Sequence, residues 1–150
     1  MGVDLIKGIK IKNLKIIYNS KGNILHYMRS DEKDFKGFGE CYISEVLPQK
    51  IKGWKLHRVQ TQNLIVPKGK IKFILYDSRK ESLSKNKIQE VILGVPNDFK
   101  KLIIPSGIWY SFKCISNDKG LVINFTDIPH DPKESETQEL FNNNIPFNWR

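Results

Sequence analysis

Leu64-Ile65-Val66-Pro67-Lys68-Gly69-Lys70-Ile71-Lys72-Phe73-Ile74-Leu75-Tyr76-Asp77 is the stretch that decides the fold. An apolar run, a Pro-Lys-Gly-Lys turn and a second run rich in β-branched and aromatic residues spell two short strands joined by a turn. The same grammar extends both ways. Upstream, Trp54 to Val66 reads as one or two strands, and Cys41 to Val46 as another that ends at Pro48. Further back, Ile9, Ile11, Leu14, Ile16 and Tyr18 form a β-rich start before the turn cluster Asn19-Ser20-Lys21-Gly22-Asn23. Downstream come Ile88 to Gly94, Leu102 to Gly107, Tyr110 to Ile115 and Leu121 to Phe125. Many short strands at regular spacing predict an all-β sandwich or barrel. Only residues 26–38 and 133–142 are expected to hold short helical turns. Asp131 to Arg150, polar and carrying Pro132 and Pro146, is expected to wrap the barrel, anchored by Phe147 and Trp149.

Composition bounds the possibilities. The chain has 150 residues, the size of one domain at roughly 100–200 residues each. A chain of this length buries about 68–70% of its unfolded surface and needs no staples. Lys and Arg number 25 against 16 Asp and Glu, a net charge of +9. The excess is almost all Lys and is spread along the chain. Lys7, Lys10, Lys12 and Lys15 alternate with apolar neighbours, as on the solvated side of a strand. A nucleic-acid binder would cluster its charge on one face, so no nucleic-acid partner is expected. The positive field still attracts a phosphorylated small molecule. Cys41 and Cys114 lie far apart with no CxxC partner. Met1-Gly2-Val3-Asp4-Leu5-Ile6 opens no signal-peptide core, and no run approaches the roughly 18–20 apolar residues of a membrane span. No membrane partner is expected, and the setting is expected to be soluble and cytoplasmic.

The chain carries no Gly-rich phosphate loop, no HExxH and no GxSxG. Its histidines are His26, His57 and His130. Lys55-Leu56-His57 offers one His where a metal-binding pair needs two, so no metal is expected. Lys55 and His57 share one face of a strand, and Trp54 and Leu56 take the other. Composition favours solvent for the Lys55/His57 face. If it lines a cavity instead, a base and a donor project inward. Asp77, followed by Arg79, is a strand-end turn residue or a functional carboxylate. Trp109-Tyr110-Ser111-Phe112 is a core edge or a platform for a base or sugar.

In order along the chain these pieces form a recognisable set. Ile51-Lys52-Gly53-Trp54-Lys55-Leu56-His57 resembles the RGLH-type segment of the dTDP-4-dehydrorhamnose 3,5-epimerase family. Gln60-Thr61-Gln62, Gly69, and Leu75-Tyr76-Asp77-Ser78-Arg79-Lys80-Glu81-Ser82 resemble its next strand pair with the D-x-R-x-x-S ending. Ile104-Pro105-Ser106-Gly107-Ile108-Trp109-Tyr110-Ser111-Phe112 resembles its IPxGxxHGF segment, and Ile145-Pro146-Phe147-Asn148-Trp149 its terminal I-x-W. The resemblance covers residues 36–150. It implies a single cupin domain, an antiparallel jelly-roll β-barrel, and usually a homodimer. It also implies a nucleotide-diphosphate sugar as ligand, a place in carbohydrate or polysaccharide biosynthesis, and no metal or organic cofactor. The family's reaction removes protons beside a 4-keto group and returns them on the opposite face, with an Asp-held His as base and a Tyr as acid.

The departures fall on that machinery. The family's base His is matched by Lys55, its second His by Tyr110, its late Asp by Asn142, and its Tyr region by Ile128-Pro129-His130. A basic residue that contacts phosphate is matched by Gln62, whereas Lys52 keeps the charge of the family's Arg. Two readings follow. In one the protein is a diverged isomerase with Lys55 as base, His57 beside it, and Tyr110 or His130 as acid. Lys52, Gln60, Gln62, Asp77, Arg79, Trp109 and Asn142 would bind substrate. In the other it is a non-catalytic nucleotide-sugar-binding cupin or a partner subunit of a sugar-modifying enzyme. Either way the acid–base pair is expected to be replaced on an intact scaffold.

Overall fold

The structure is a computed structural model that describes residues 5–150. Among the described residues, twelve strands form two five-stranded antiparallel sheets and a small hairpin. The first sheet runs β1 (Lys10–Asn13), β9 (Lys100–Ile104), β6 (Gln62–Lys68), β11 (Gly120–Thr126) and β4 (Glu40–Val46). The second runs β12 (Ser135–Thr137), β5 (Ile51–His57), β10 (Ile108–Cys114), β7 (Lys70–Asp77) and β8 (Ile88–Gly94). β2 (Ile16–Ile17) and β3 (Ile24–Leu25) close the hairpin around the Asn19–Asn23 turn. This is the cupin jelly roll, with its two sheets facing each other rather than closed into a continuous cylinder.

The period-2 alternation of the strands sets what lies between the sheets. Ile71, Phe73 and Leu75 of β7 point inward with Leu64 and Val66 of β6, Leu102 and Ile104 of β9, and Val122 of β11. Each such side chain contributes roughly 1.5–3 kcal/mol by leaving water. The alternate residues of the second sheet build another core on its outer face. There Trp54, Leu56, Ile74, Tyr76 and Trp109 are covered by Leu140, Ile145, Phe147 and Trp149 of the C-terminal segment. That segment wraps the sheet as expected.

Gly69 turns the chain between β6 and β7 at φ +79°, with the Gly120 backbone so close that a Cβ would collide. Pro67 falls within β6 rather than in the turn, next to an irregularity in the pairing with β11. An interior strand tolerates proline at such a bulge.

The expected helical turns are not there: among the described residues there is no helix. Residues 29–35 make only isolated turns. Within residues 133–142, Ser135–Thr137 is instead strand β12, pairing Ser135 with His57 and Thr137 with Lys55. The free edge of β5 supplies a partner for the backbone there, and local helix preference does not outweigh it.

Candidate functional site

The site lies at the open side of the sandwich, between β4 of one sheet and β5 of the other. β5 carries two faces. Trp54 and Leu56 point out into the second core, and Lys55 and His57 point in. The Lys55/His57 side therefore lines a cavity and not the solvent that composition favoured. The strand is irregular here: Gly53 sits opposite Ser111 at φ +121°, and a Cβ on it would lie 2.6 Å from the Ser111 Cβ. Only glycine fits this close approach.

Two compartments share Tyr42 and Lys55 as common walls. The inner one, of ≈ 180 Å³, is mainly apolar, with Leu64, Phe112 and Val122 beside Tyr110 and Asn124, and Lys52 and Ser44 at its rim. The outer one, of ≈ 440 Å³, is ringed by Glu40, Tyr42, Lys55, His57, Gln60 and His130.

His57 is the best-placed base. It is buried, and its Nδ1 lies 2.5 Å from Glu134 Oε1. Glu134 is also buried, and its other oxygen accepts the Val59 and Gln60 amides at 2.9 Å each. Burial alone pushes the Glu134 carboxyl up. The Gln60 amide, His57 and the Val59 amide outweigh that and hold it below the usual range. An ionised Glu134 fixes the proton of His57 on Nδ1 and leaves Nε2 with its lone pair. Burial lowers the affinity of His57 for a second proton against the pull of Glu134, with Lys55 and His130 adding to the lowering. A neutral imidazole with one carboxylate-anchored nitrogen is the arrangement of a general base. Tyr110 stacks on the ring at 6.1 Å, its hydroxyl 3.3 Å from Nε2. Burial raises the Tyr110 phenol far above its ordinary value, so it stays a donor.

The residues proposed from sequence divide into two groups. Lys55, His57, Tyr110 and His130 converge on the cavity, and so do Lys52 and Gln60. Gln62 lies just behind the wall, donating 2.6 Å to Gln60 Oε1. The other four lie elsewhere. Asp77 is fully buried and saturated by Arg79, Ser82, Ser84 and the Arg79 amide. The D-x-R-x-x-S pattern is thus a strand-end knot, and Arg79 is spent on it and on the Lys7 carbonyl. Trp109 is on the outward face of β10, inside the second core. Asn142 organises a turn: it donates to the Glu139 carbonyl and accepts the Asn144 and Ile145 amides. It holds no histidine.

Sequence reasoning missed Glu134, Tyr42 and Asn124. Glu134 lies in a segment that reads as polar wrapping, 77 residues from its histidine. The inward alternation Glu40, Tyr42, Ser44 along β4 was the available signal for Tyr42.

Known proteins agree with this architecture. Residues 7–147 match the family described as "FdtA: WxcM-like, C-terminal". The crystal structure of a dTDP sugar isomerase from Desulfovibrio desulfuricans G20 is 40% identical with a TM-score of 0.95, covering 97% of this chain and 92% of that one. The spore coat polysaccharide biosynthesis protein SpsL of Bacillus subtilis (strain 168) is 26% identical over 147 residues, 97% of each chain. The fold alone is shared with the dTDP-4-dehydrorhamnose 3,5-epimerase of Bacillus anthracis, solved with TDP and PPi bound. That protein is 15% identical at a TM-score of 0.84, over 99% of this chain and 88% of that one. The epimerase-like cupin that the ordered motifs resemble is therefore the right neighbourhood, and the chain belongs to the family described as FdtA: WxcM-like, C-terminal.

Proposed function

We propose that this protein isomerises a deoxythymidine-diphosphate-linked 4-keto-6-deoxy sugar by proton transfer, in carbohydrate or polysaccharide biosynthesis, with His57 as the base. One observation carries the reading: a buried His57–Glu134 pair beside a cavity, whose second imidazole nitrogen keeps its lone pair and meets only the long contact from the Tyr110 hydroxyl at 3.3 Å, which substrate displaces. Protons next to a ketone are acidic enough for a well-placed imidazole to remove. Glu134 steadies the imidazolium that forms. The Lys55 ammonium on the same face stabilises the negative charge that develops on the sugar oxygen. His57 or His130, across the mouth, then returns a proton. Lys52, at the rim of the inner compartment, suits the diphosphate.

This assignment moves the base from Lys55 to His57. Lysine is protonated by some three units at neutral pH with an ordinary pKa of about 10.4, and it suits a charge-stabilising role better. A cytoplasmic homodimer belongs to the same reading. The outer edge of β4, with Ile43 and Leu47 exposed, offers a surface for the second copy, and sedimentation analysis measures it.

The test supplies dTDP-4-keto-6-deoxyglucose in deuterated water and follows label at the ring carbons by NMR. Incorporation well above that of a His57→Asn variant is expected. Saturable binding with no incorporation would mark the protein as a non-catalytic binding module and overturn the reading.

A further inference from the structure

Behind the cavity wall runs a line of buried amides that none of the roles above explains. Gln60, Gln62 and Asn124 are each nearly inaccessible, at 2%, 1% and 1% exposure. Gln60 Nε2 donates to the Ile128 carbonyl at 2.8 Å. Gln62 Nε2 donates to Gln60 Oε1 at 2.6 Å, and Asn124 Nδ2 donates to Gln62 Oε1. The same Asn124 nitrogen donates its other hydrogen to the Tyr42 hydroxyl oxygen at 2.9 Å.

The direction of every bond in this chain is imposed from both ends. A carbonyl only accepts, so Ile128 O requires a nitrogen of Gln60 toward it. That turns Gln60 Oε1 to Gln62, which must then donate, and so on to Asn124. Independently, the Asn63 amide N–H donates to Asn124 Oδ1 at 3.2 Å, which fixes the Asn124 amide in the same sense. Reversing one amide would leave a buried acceptor facing an acceptor, at a cost of about 1–3 kcal/mol. The consequence falls on Tyr42. Its oxygen receives a hydrogen bond from inside the wall, so its own O–H is left to point outward, where Tyr42 borders both compartments.

We propose that the Gln60–Gln62–Asn124 amide chain is a positioning device that holds Tyr42 as a fixed hydrogen-bond donor to an oxygen of the bound sugar nucleotide. Gln60, Gln62 and Asn124 act through Tyr42, and Tyr42 touches the ligand. The choice of ligand rests on the isomerase reading above. The polarity of the relay does not. Preorganised donors of this kind spend no free energy on reorienting when charge develops on the oxygen they face.

Asn124→Asp tests the polarity directly. A carboxylate there only accepts, so the Tyr42 proton turns inward and the cavity loses its donor. In deuterium exchange with dTDP-4-keto-6-deoxyglucose, Asn124→Asp and Tyr42→Phe should each lower kcat at least tenfold, with a smaller change in KM. The double variant should be no slower than Tyr42→Phe alone. Losses that multiply in the double variant overturn the relay, because Asn124 would then act independently of Tyr42.

A second readout needs no activity. With ¹³C-labelled tyrosine, the Tyr42 signal is the one lost in Tyr42→Phe, and its titration reports the Asn124 bond in the presence of Glu40 and Lys55 nearby. The phenol should titrate higher in Asn124→Leu than in the native protein, and higher still in Asn124→Asp. Equal titration in all three overturns the relay. Absence of exchange in the native protein sinks the isomerase reading instead, and leaves the titration to decide the relay alone.

Discussion

Two buried carboxylates in this molecule have opposite uses. Asp77 closes strand β7 and accepts hydrogen bonds from Arg79, Ser82 and Ser84 and from the Arg79 amide. Its partners are tied back into the knot, Arg79 to the Lys7 carbonyl and the Ser84 hydroxyl to the Lys7 amide and Ser82. Glu134 accepts the Val59 and Gln60 amides and His57. Its third partner is an imidazole, and the ring transmits the charge to a nitrogen on the far side. Both acids are held below the usual carboxylate range, chiefly by hydrogen bonds that outweigh burial. A lowered acid is therefore no mark of a site by itself. What distinguishes the two is whether the donor they satisfy is tied back into the fold or is a ring whose far nitrogen meets Tyr110 at the cavity wall.

The largest effect that sharpens the contrast is on chemistry. His57→Asn keeps a donor toward Glu134 but removes the base, and should lower the exchange rate by on the order of 10³-fold. Its melting temperature should stay close to that of the native protein. A comparable loss of activity in Asp77→Asn, per folded molecule, would break the distinction.

Next comes Asp77→Ala, which should leave activity per folded molecule intact while destabilising the fold by about 3 kcal/mol. The variant strands the Arg79 guanidinium and two serine hydroxyls at the end of β7. Urea unfolding measures it as a shift of midpoint at constant slope. A change under about 0.5 kcal/mol would be that of an ordinary surface position, and would show that the knot is dispensable.

Glu134→Gln probes the other acid with a smaller effect. The amide still offers an oxygen to the Val59 and Gln60 amides, so stability should change little. The amide nitrogen then faces His57 Nδ1 and draws the ring proton to Nε2, and the imidazolium loses its counter-charge, so exchange should slow by on the order of a hundredfold. Unchanged exchange would reduce Glu134 to a structural acid like Asp77.

How much of this contrast was legible in the sequence depends on distance along the chain. The Asp77 knot is local. Asp77, Arg79 and Ser82 fall within six positions, and their spacing announces a strand-end turn even though the same residues tempt one toward a ligand site. The inward pairing of Lys55 with His57 is legible too, since alternation forces both to one face. Which face was not, because lysine composition favours water and only the opposing sheet turns that face into a wall. Trp54 and Leu56 held the answer: two large apolar side chains need cover, and the C-terminal Ile145, Phe147 and Trp149 provide it. Glu134 was beyond reach. Its pairing depends on β12 docking against β5, a contact that a three-residue polar strand does not advertise. The resemblance to the epimerases aligned the missing acid with Asn142. The structure supplies an acid from a different segment, and that acid meets His57, two residues along β5 from Lys55.

The last and smallest effect is on pH dependence, and its sign follows from the two environments. His57 has its proton affinity lowered in the fold, chiefly by burial, from an ordinary 6.5. The unfolded chain takes up a proton at that histidine before the folded one does. Stability from this group is therefore complete above about pH 6.5 and declines as the pH falls below it. Glu134 and Asp77 are lowered from 4.5 and 3.8. Their contributions are complete above those values and fade only as the pH drops through each folded-state value, with Asp77 the last to go. Acid should thus silence the site before it unravels the knot. The acid limb of the exchange rate should lie below 6.5 in the native protein, because catalysis needs His57 neutral. In Glu134→Gln it should move lower still, since an acid that favours the imidazolium has been removed. An acid limb that moves up in that variant would mean that Glu134 does not hold the charged ring. The two carboxylates would then differ in neighbours and not in use.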